Sequence, residues 1–137
     1  MAEPQAAEEL PSGNEKILFI DDEASIVNLA RLLLGRLGYQ VEVRTSPVEA
    51  LELFRSKPDQ FDLVITDMTM PQMTGKKLVK EILNIRPDMP IILCTGFNEK
   101  ISEEDTQELG IKFFAWKPLS KRDLATIIRK ALEEDER

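Results

Sequence analysis

DLVIT, residues 62–66, is a short, largely apolar run with an acid, Asp67, directly after it. Its apolar residues do not alternate with polar ones, which is the pattern of a strand buried on both faces. KILFI at 16–20 and PIILC at 90–94 share that pattern, and YQVEVR at 39–44 and KFFAW at 112–116 are further strand candidates. Helical patterns fill the intervals. Ile26, Leu29, Ala30, Leu33, Leu34 and Leu37 follow the i, i+3, i+4 rhythm, and Gly38 is a C-terminal stop. Ser46-Pro47 with Glu49, and Ser120 with Asp123, read as capping boxes that open helices. Leu78, Val79, Ile82 and Leu83 mark a third helix that starts just after Gly75. A helix over roughly 99–109 has Ile101 and Leu109 as its only large apolar residues among five acids, so it is expected to be the least firmly held.

Strand–helix alternation repeated five times implies an α/β fold, a doubly wound five-stranded parallel sheet with five helices and right-handed crossovers. Residues 1–14 are rich in Ala, Glu and Pro and read as a disordered lead-in. The domain occupies 15–134, and 135–137 end a charged tail.

The 137 residues are enough for one domain with a real core. A net charge of −7, from 18 basic and 25 acidic residues, argues against a nucleic-acid interface, which needs a basic face. No apolar run approaches the ~20 residues of a membrane span, and no signal peptide is visible. A single cysteine, Cys94, forms no internal disulfide, and with no histidine and no CxxC pair there is no zinc site. A cytoplasmic location is expected.

In parallel sheets of this kind, ligands sit outside the carboxyl ends of the strands. Asp21, Asp22 and Glu23 follow the first strand, Asp67 the third, Thr95 and Gly96 the fourth, and Lys117 and Pro118 the fifth. All the chemically capable residues therefore fall on one rim. Carboxylates held within a few ångströms repel by about 4 kcal/mol per close pair at an intermediate dielectric, so the cluster must hold protons or recruit a cation. Oxygen ligands alone select a hard ion, Mg²⁺ with Mn²⁺ as substitute. With a lysine and a threonine hydroxyl beside it, such a cluster is a receptacle for a tetrahedral oxyanion with a carboxylate as nucleophile.

FIDDE at 19–23, DMTMPQMTG at 67–75, LCTG at 93–96 and WKP at 116–118 together resemble the receiver domain of two-component response regulators, of the chemotaxis-regulator-like type, over residues 15–134. The resemblance implies a flavodoxin-like strand order, 2-1-3-4-5, and a cis Lys117–Pro118 bond. It implies that Asp67 accepts a phosphoryl group from a phosphohistidine of a sensor histidine kinase or phosphotransfer protein. It makes Asp22, Asp67 and the backbone carbonyl of Thr69 ligands of Mg²⁺, with Asp21 acting mainly through water. Lys117, Thr95 and Gly96 would receive the phosphoryl oxygens, and Thr95 with Phe114 would form a switch that reshapes the face of the 99–109 helix, the fifth strand and the last helix. Such a protein is not an enzyme beyond its own phosphorylation and dephosphorylation, and is a monomer or weak homodimer.

Blander readings compete residue by residue. Asp21 and Asp22 could cap the first helix, Asp67 could be a turn residue before Pro71, and Lys117 an ordinary surface lysine. Cys94 and the methionines at 68, 70, 73 and 89 read as packing residues, whereas Trp116 could pack at an edge or face a partner. Among whole functions, a degenerate receiver serving as a constitutive interaction or dimerisation module is the rival. A hydrolase with an aspartyl-phosphate intermediate would want an aspartate where Thr69 stands, and no P-loop or GxGxxG is present. No output domain follows the last helix within these residues, so a stand-alone regulator and the receiver of a hybrid kinase both stay open.

Overall fold

The computed structural model describes residues 10–96, 110–111 and 113–135. Its strands are β1 (Lys16–Ile20), β2 (Gln40–Arg44), β3 (Leu63–Asp67), β4 (Ile91–Thr95) and β5 (Phe113–Trp116). Four α-helices lie among the described residues: α1 (Ala24–Arg36), α2 (Pro47–Ser56), α3 (Gly75–Ile85) and α4 (Lys121–Asp135). The expected helix at 99–109, residues 1–9 of the lead-in and the last two residues of the tail lie outside the described residues.

All four strand pairings are parallel, and the order is β2-β1-β3-β4-β5. Alternate residues of the same strands feed two separate cores. Ile17, Phe19, Leu63, Ile65, Ile92 and Cys94 pack beneath α1 and α4, whereas Leu18, Ile20, Val64 and Leu93 pack beneath α2 and α3. A strand that must be apolar on both faces shows no polar alternation, which is why the central runs read as they do.

Local signals hold where backbone groups demand partners. The Ser46 hydroxyl accepts the Glu49 N–H at 3.2 Å with Pro47 opening α2, and that of Ser120 accepts the Asp123 N–H at 3.0 Å. Gly38 sits at φ 102°, where Gly38 and Tyr39 return their N–H groups to Gly35 and Leu34 and stop α1.

Three expectations differ from the structure. Leu29, placed on the inward stripe of α1, is 53% exposed, because the buried stripe runs through Val27, Ala30 and Leu34. A leucine-rich helix carries more apolar residues than one face can bury, so its phase is ambiguous from periodicity alone. Asp67 and Thr95, read as following their strands, are the last residues of β3 and β4: the ladder runs one rung further, pairing Asp67 with Cys94 and Thr95 with Trp116. Residues 10–14, grouped with the lead-in by composition, lie against the domain. Leu10 packs on the core beneath α1 and α4, and the Gly13 N–H donates to the Leu37 carbonyl at 3.1 Å.

Candidate functional site

β1 and β3 are neighbours at the centre of the sheet, and their carboxyl ends carry the acids. One carboxylate oxygen from each of Asp21, Asp22 and Asp67 lies within 4.8 Å of the others. Asp21 and Asp67 are buried, whereas Asp22 is exposed. The turn after β5, where the Lys117–Pro118 peptide is cis, brings Lys117 to the same place. Its Nζ lies 2.7 Å from Asp67 Oδ1 and 3.1 Å from Asp21 Oδ2. The turn is fixed by the Lys117 N–H, which donates to the Thr95 carbonyl at 2.9 Å.

Burial opposes the Lys117 charge, but hydrogen bonds from its ammonium to Asp67 and Asp21, with the charges of both, outweigh that penalty and raise its pKa above the ordinary lysine value. Lys117 is therefore a fixed cation at any physiological pH.

The three carboxylates carry three negative charges against one ammonium, and every donor is oxygen. That set fits a hard divalent cation such as Mg²⁺ or Mn²⁺, and not a thiol- or imidazole-seeking metal. Neither Asp21 nor Asp22 is the N-cap residue of α1. The N-cap of α1 is Glu23, which makes no side-chain cap bond, while Asp21 Oδ1 accepts the Glu23 N–H at 3.0 Å. Asp21 is thereby held by one oxygen to the helix entry and by the other to Lys117.

Thr95 is fully buried, and its hydroxyl donates to the Gly96 carbonyl at 3.3 Å. Phe114 pairs with Leu93, two residues before Thr95, so Phe114 and Thr95 share one face of the sheet. Phe114 is half-buried against the core beneath α2 and α3, and Trp116 is 57% exposed. Cys94 is buried, as are Met68, Met70 and Met89. Beside Lys117 an apolar groove of ≈ 510 Å³ opens between α1 and the Lys117–Leu119 turn, lined among others by Ile26, Leu29, Leu33 and Leu119.

Two participants escaped the sequence reading. Thr66 is a fully buried hydroxyl inside an otherwise apolar strand, and that interruption was its signal. Thr74 caps α3, accepting the Lys77 N–H at 3.2 Å, so Thr74-Gly75 is a cap followed by the first helical residue.

Comparison with known proteins gives one consistent answer. The model of the response regulator receiver domain matches residues 17–129. The sensor kinase CckA of Brucella abortus (strain 2308) is 32% identical over 126 residues, covering 91% of this chain and 13% of the kinase. The alkaline phosphatase synthesis transcriptional regulatory protein PhoP of Bacillus subtilis (strain 168) is 31% identical, covering 90% of this chain and 50% of the regulator. The chain thus spans half the length or less of these relatives. A response regulator receiver domain protein from Clostridium thermocellum superposes with a TM-score of 0.83 at 33% identity, covering 89% of this chain and 97% of that one. The chemotaxis protein CheY4 of Vibrio cholerae superposes with a TM-score of 0.77 at 27% identity, covering 88% and 100%.

Proposed function

Because this chain belongs to the response regulator receiver family, we propose that it takes a phosphoryl group onto Asp67 from a phosphohistidine of a sensor kinase or phosphotransfer protein, and relays that event to a protein partner. The observation that carries this reading is the convergence of three carboxylates within 4.8 Å of one another, with the Lys117 ammonium 2.7 Å from Asp67 and 3.1 Å from Asp21. Mg²⁺ held by Asp22, Asp67 and the Thr69 carbonyl, with Asp21 alongside, would neutralise the charge on the transferring group.

The chain's own residues do the rest. An Asp67 carboxylate oxygen attacks phosphorus, the bond from phosphorus to the donor nitrogen breaks, and its electron pair leaves with the imidazole. Lys117, kept cationic by its surroundings, moves its hydrogen bond from the carboxylate to a phosphoryl oxygen. The Thr95 hydroxyl, which donates to the Gly96 carbonyl at 3.3 Å, is a weakly committed donor that a phosphoryl oxygen can capture. Its departure leaves room on the face it shares with Phe114, and the ring turning inward would change the surface around β5. A phosphoryl group shifts this equilibrium only through contacts that differ between the two states, and the Thr95 hydroxyl is such a contact. The apolar groove beside Lys117 is the surface a donor protein would cover while its histidine reaches Asp67.

Incubation with acetyl phosphate and Mg²⁺, read by intact mass, tests the reading. One added phosphoryl group, lost in D67N and without divalent metal, is the expected result. No added mass in the folded wild type would leave the constitutive interaction module as the better description.

A further inference from the structure

The peptide that follows Asp67 is gripped from every side. The Met68 N–H donates to the Cys94 carbonyl at 2.9 Å, and the Gly75 N–H donates to the Met68 carbonyl at 2.8 Å. The Asp67 carbonyl lies past the last rung of the β1–β3 ladder, which ends at the Ile20–Thr66 pair. Two other groups take over there. The Thr66 hydroxyl donates to this carbonyl at 3.1 Å, and the bare Cα of Gly75 is set against it. A Cβ on Gly75 would stand 2.3 Å from the Asp67 oxygen, 2.8 Å from Met68 Cα and 3.1 Å from the Asp67 carbonyl carbon. All three are backbone atoms, so relief requires moving the peptide that carries Asp67.

We propose that Thr66 and Gly75 are positioning residues, which clamp the Asp67–Met68 peptide and thereby set the aim of the Asp67 carboxylate at the metal and the incoming phosphorus. The inference rests on Asp67 being the phosphoacceptor. Packing alone explains neither residue. Thr66 pairs with Ile20 on one side and Leu93 on the other, in a layer where valine has the same shape and no hydroxyl to desolvate. Gly75 is the first residue of α3 and is not at positive φ, so helix propensity would favour alanine there. The glycine serves close approach, and the threonine serves the carbonyl. Fixing the backbone at this point removes rotational freedom that the nucleophile would otherwise lose in the transition state.

The test compares G75A, T66V and T66S with wild type in Mg²⁺ titration calorimetry, in phosphorylation rate from acetyl phosphate at saturating Mg²⁺, and in urea unfolding. G75A is expected to weaken Mg²⁺ binding about 10–100-fold, as loss of a ligand-orienting group does. T66V is expected to weaken it about fivefold and slow the saturated rate, and T66S to restore both to within about twofold. If T66V and G75A shift only the urea midpoint, with Mg²⁺ affinity and saturated rate at wild-type values, the positioning role is overturned. Should G75A fail to fold, the T66V–T66S pair decides alone. A wild type that binds Mg²⁺ but takes no phosphate would refute the phosphoacceptor reading, while the Mg²⁺ affinities would still judge the clamp.

Discussion

At the amino ends of the strands, acids are bridged by one arginine; at the carboxyl ends, three carboxylates crowd within 4.8 Å of one another and two of them are buried. Glu15 meets Arg129 at 2.9 Å, and Arg129 also reaches Glu133 at 3.2 Å and the Tyr39 hydroxyl at 3.5 Å. Leu10 and Gly13 close that end by packing and by a backbone hydrogen bond to Leu37. The opposite rim buries Asp21, Thr66, Asp67 and Thr95, crowds three carboxylates within 4.8 Å of one another, two of them on the Lys117 ammonium, and holds Gln72 at φ 74° in the loop after β3. One end of the sheet is closed by its own contacts, and on the function proposed above the other would be completed by a cation and a phosphoryl group. Substitutions at the closed end should therefore alter stability and leave chemistry alone, and substitutions at the rim should alter chemistry with stability effects of either sign.

The largest contrast is between two cations. K117M leaves the carboxylates without their counter-charge and is expected to destabilise the fold by about 3–5 kcal/mol in low Mg²⁺ and to abolish phosphorylation. R129M at the other end should cost about 1 kcal/mol and leave the phosphorylation rate unchanged, both read by urea unfolding and intact mass. The sign with pH follows from the raised Lys117 pKa. Its contribution is complete below the ordinary lysine value of about 10.4 and fades only as pH rises through its higher folded value. The difference in stability between wild type and K117M should therefore be flat from neutral pH to that point.

G38A sharpens the comparison from the closed end. Its Cβ would stand 2.3 Å from the Gly13 carbonyl oxygen at a backbone φ of 102°, so a loss of about 1–3 kcal/mol is expected, with phosphorylation intact. D67N runs the other way. Removing one crowded carboxylate should raise stability by about 1 kcal/mol without Mg²⁺, and added Mg²⁺ should stabilise wild type and not the variant. Thermal unfolding with and without Mg²⁺ reads the crossing. The smallest effect is at Gln72: Q72G should gain about 0.5–1 kcal/mol by relieving the left-handed backbone. A loss of stability in Q72G would show that the rim loop is not strained there.

The same asymmetry governs how much could be read from the amino acids in order. Strand identity was legible because burial on both faces leaves continuous apolar runs such as LVIT and IILC. The acids were legible because chemistry in this architecture gathers at one rim, and Asp21, Asp22, Asp67 and Lys117 do meet there. Contacts between backbone groups distant in sequence were not. Nothing in the order of residues announces that Gly75 must touch the Asp67 carbonyl, or that Glu15 pairs with Arg129 across 114 positions. The exposure of Leu29 was hidden too, since α1 carries more leucine than its stripe can bury.

Borohydride reduction after treatment with acetyl phosphate and Mg²⁺ converts an aspartyl phosphate to homoserine, which peptide sequencing by mass spectrometry locates. Homoserine at position 67 alone, and none without divalent metal, is the expected result. Homoserine at another aspartate, or none in folded protein under saturating Mg²⁺, would contradict the proposal that Asp67 is the phosphoacceptor.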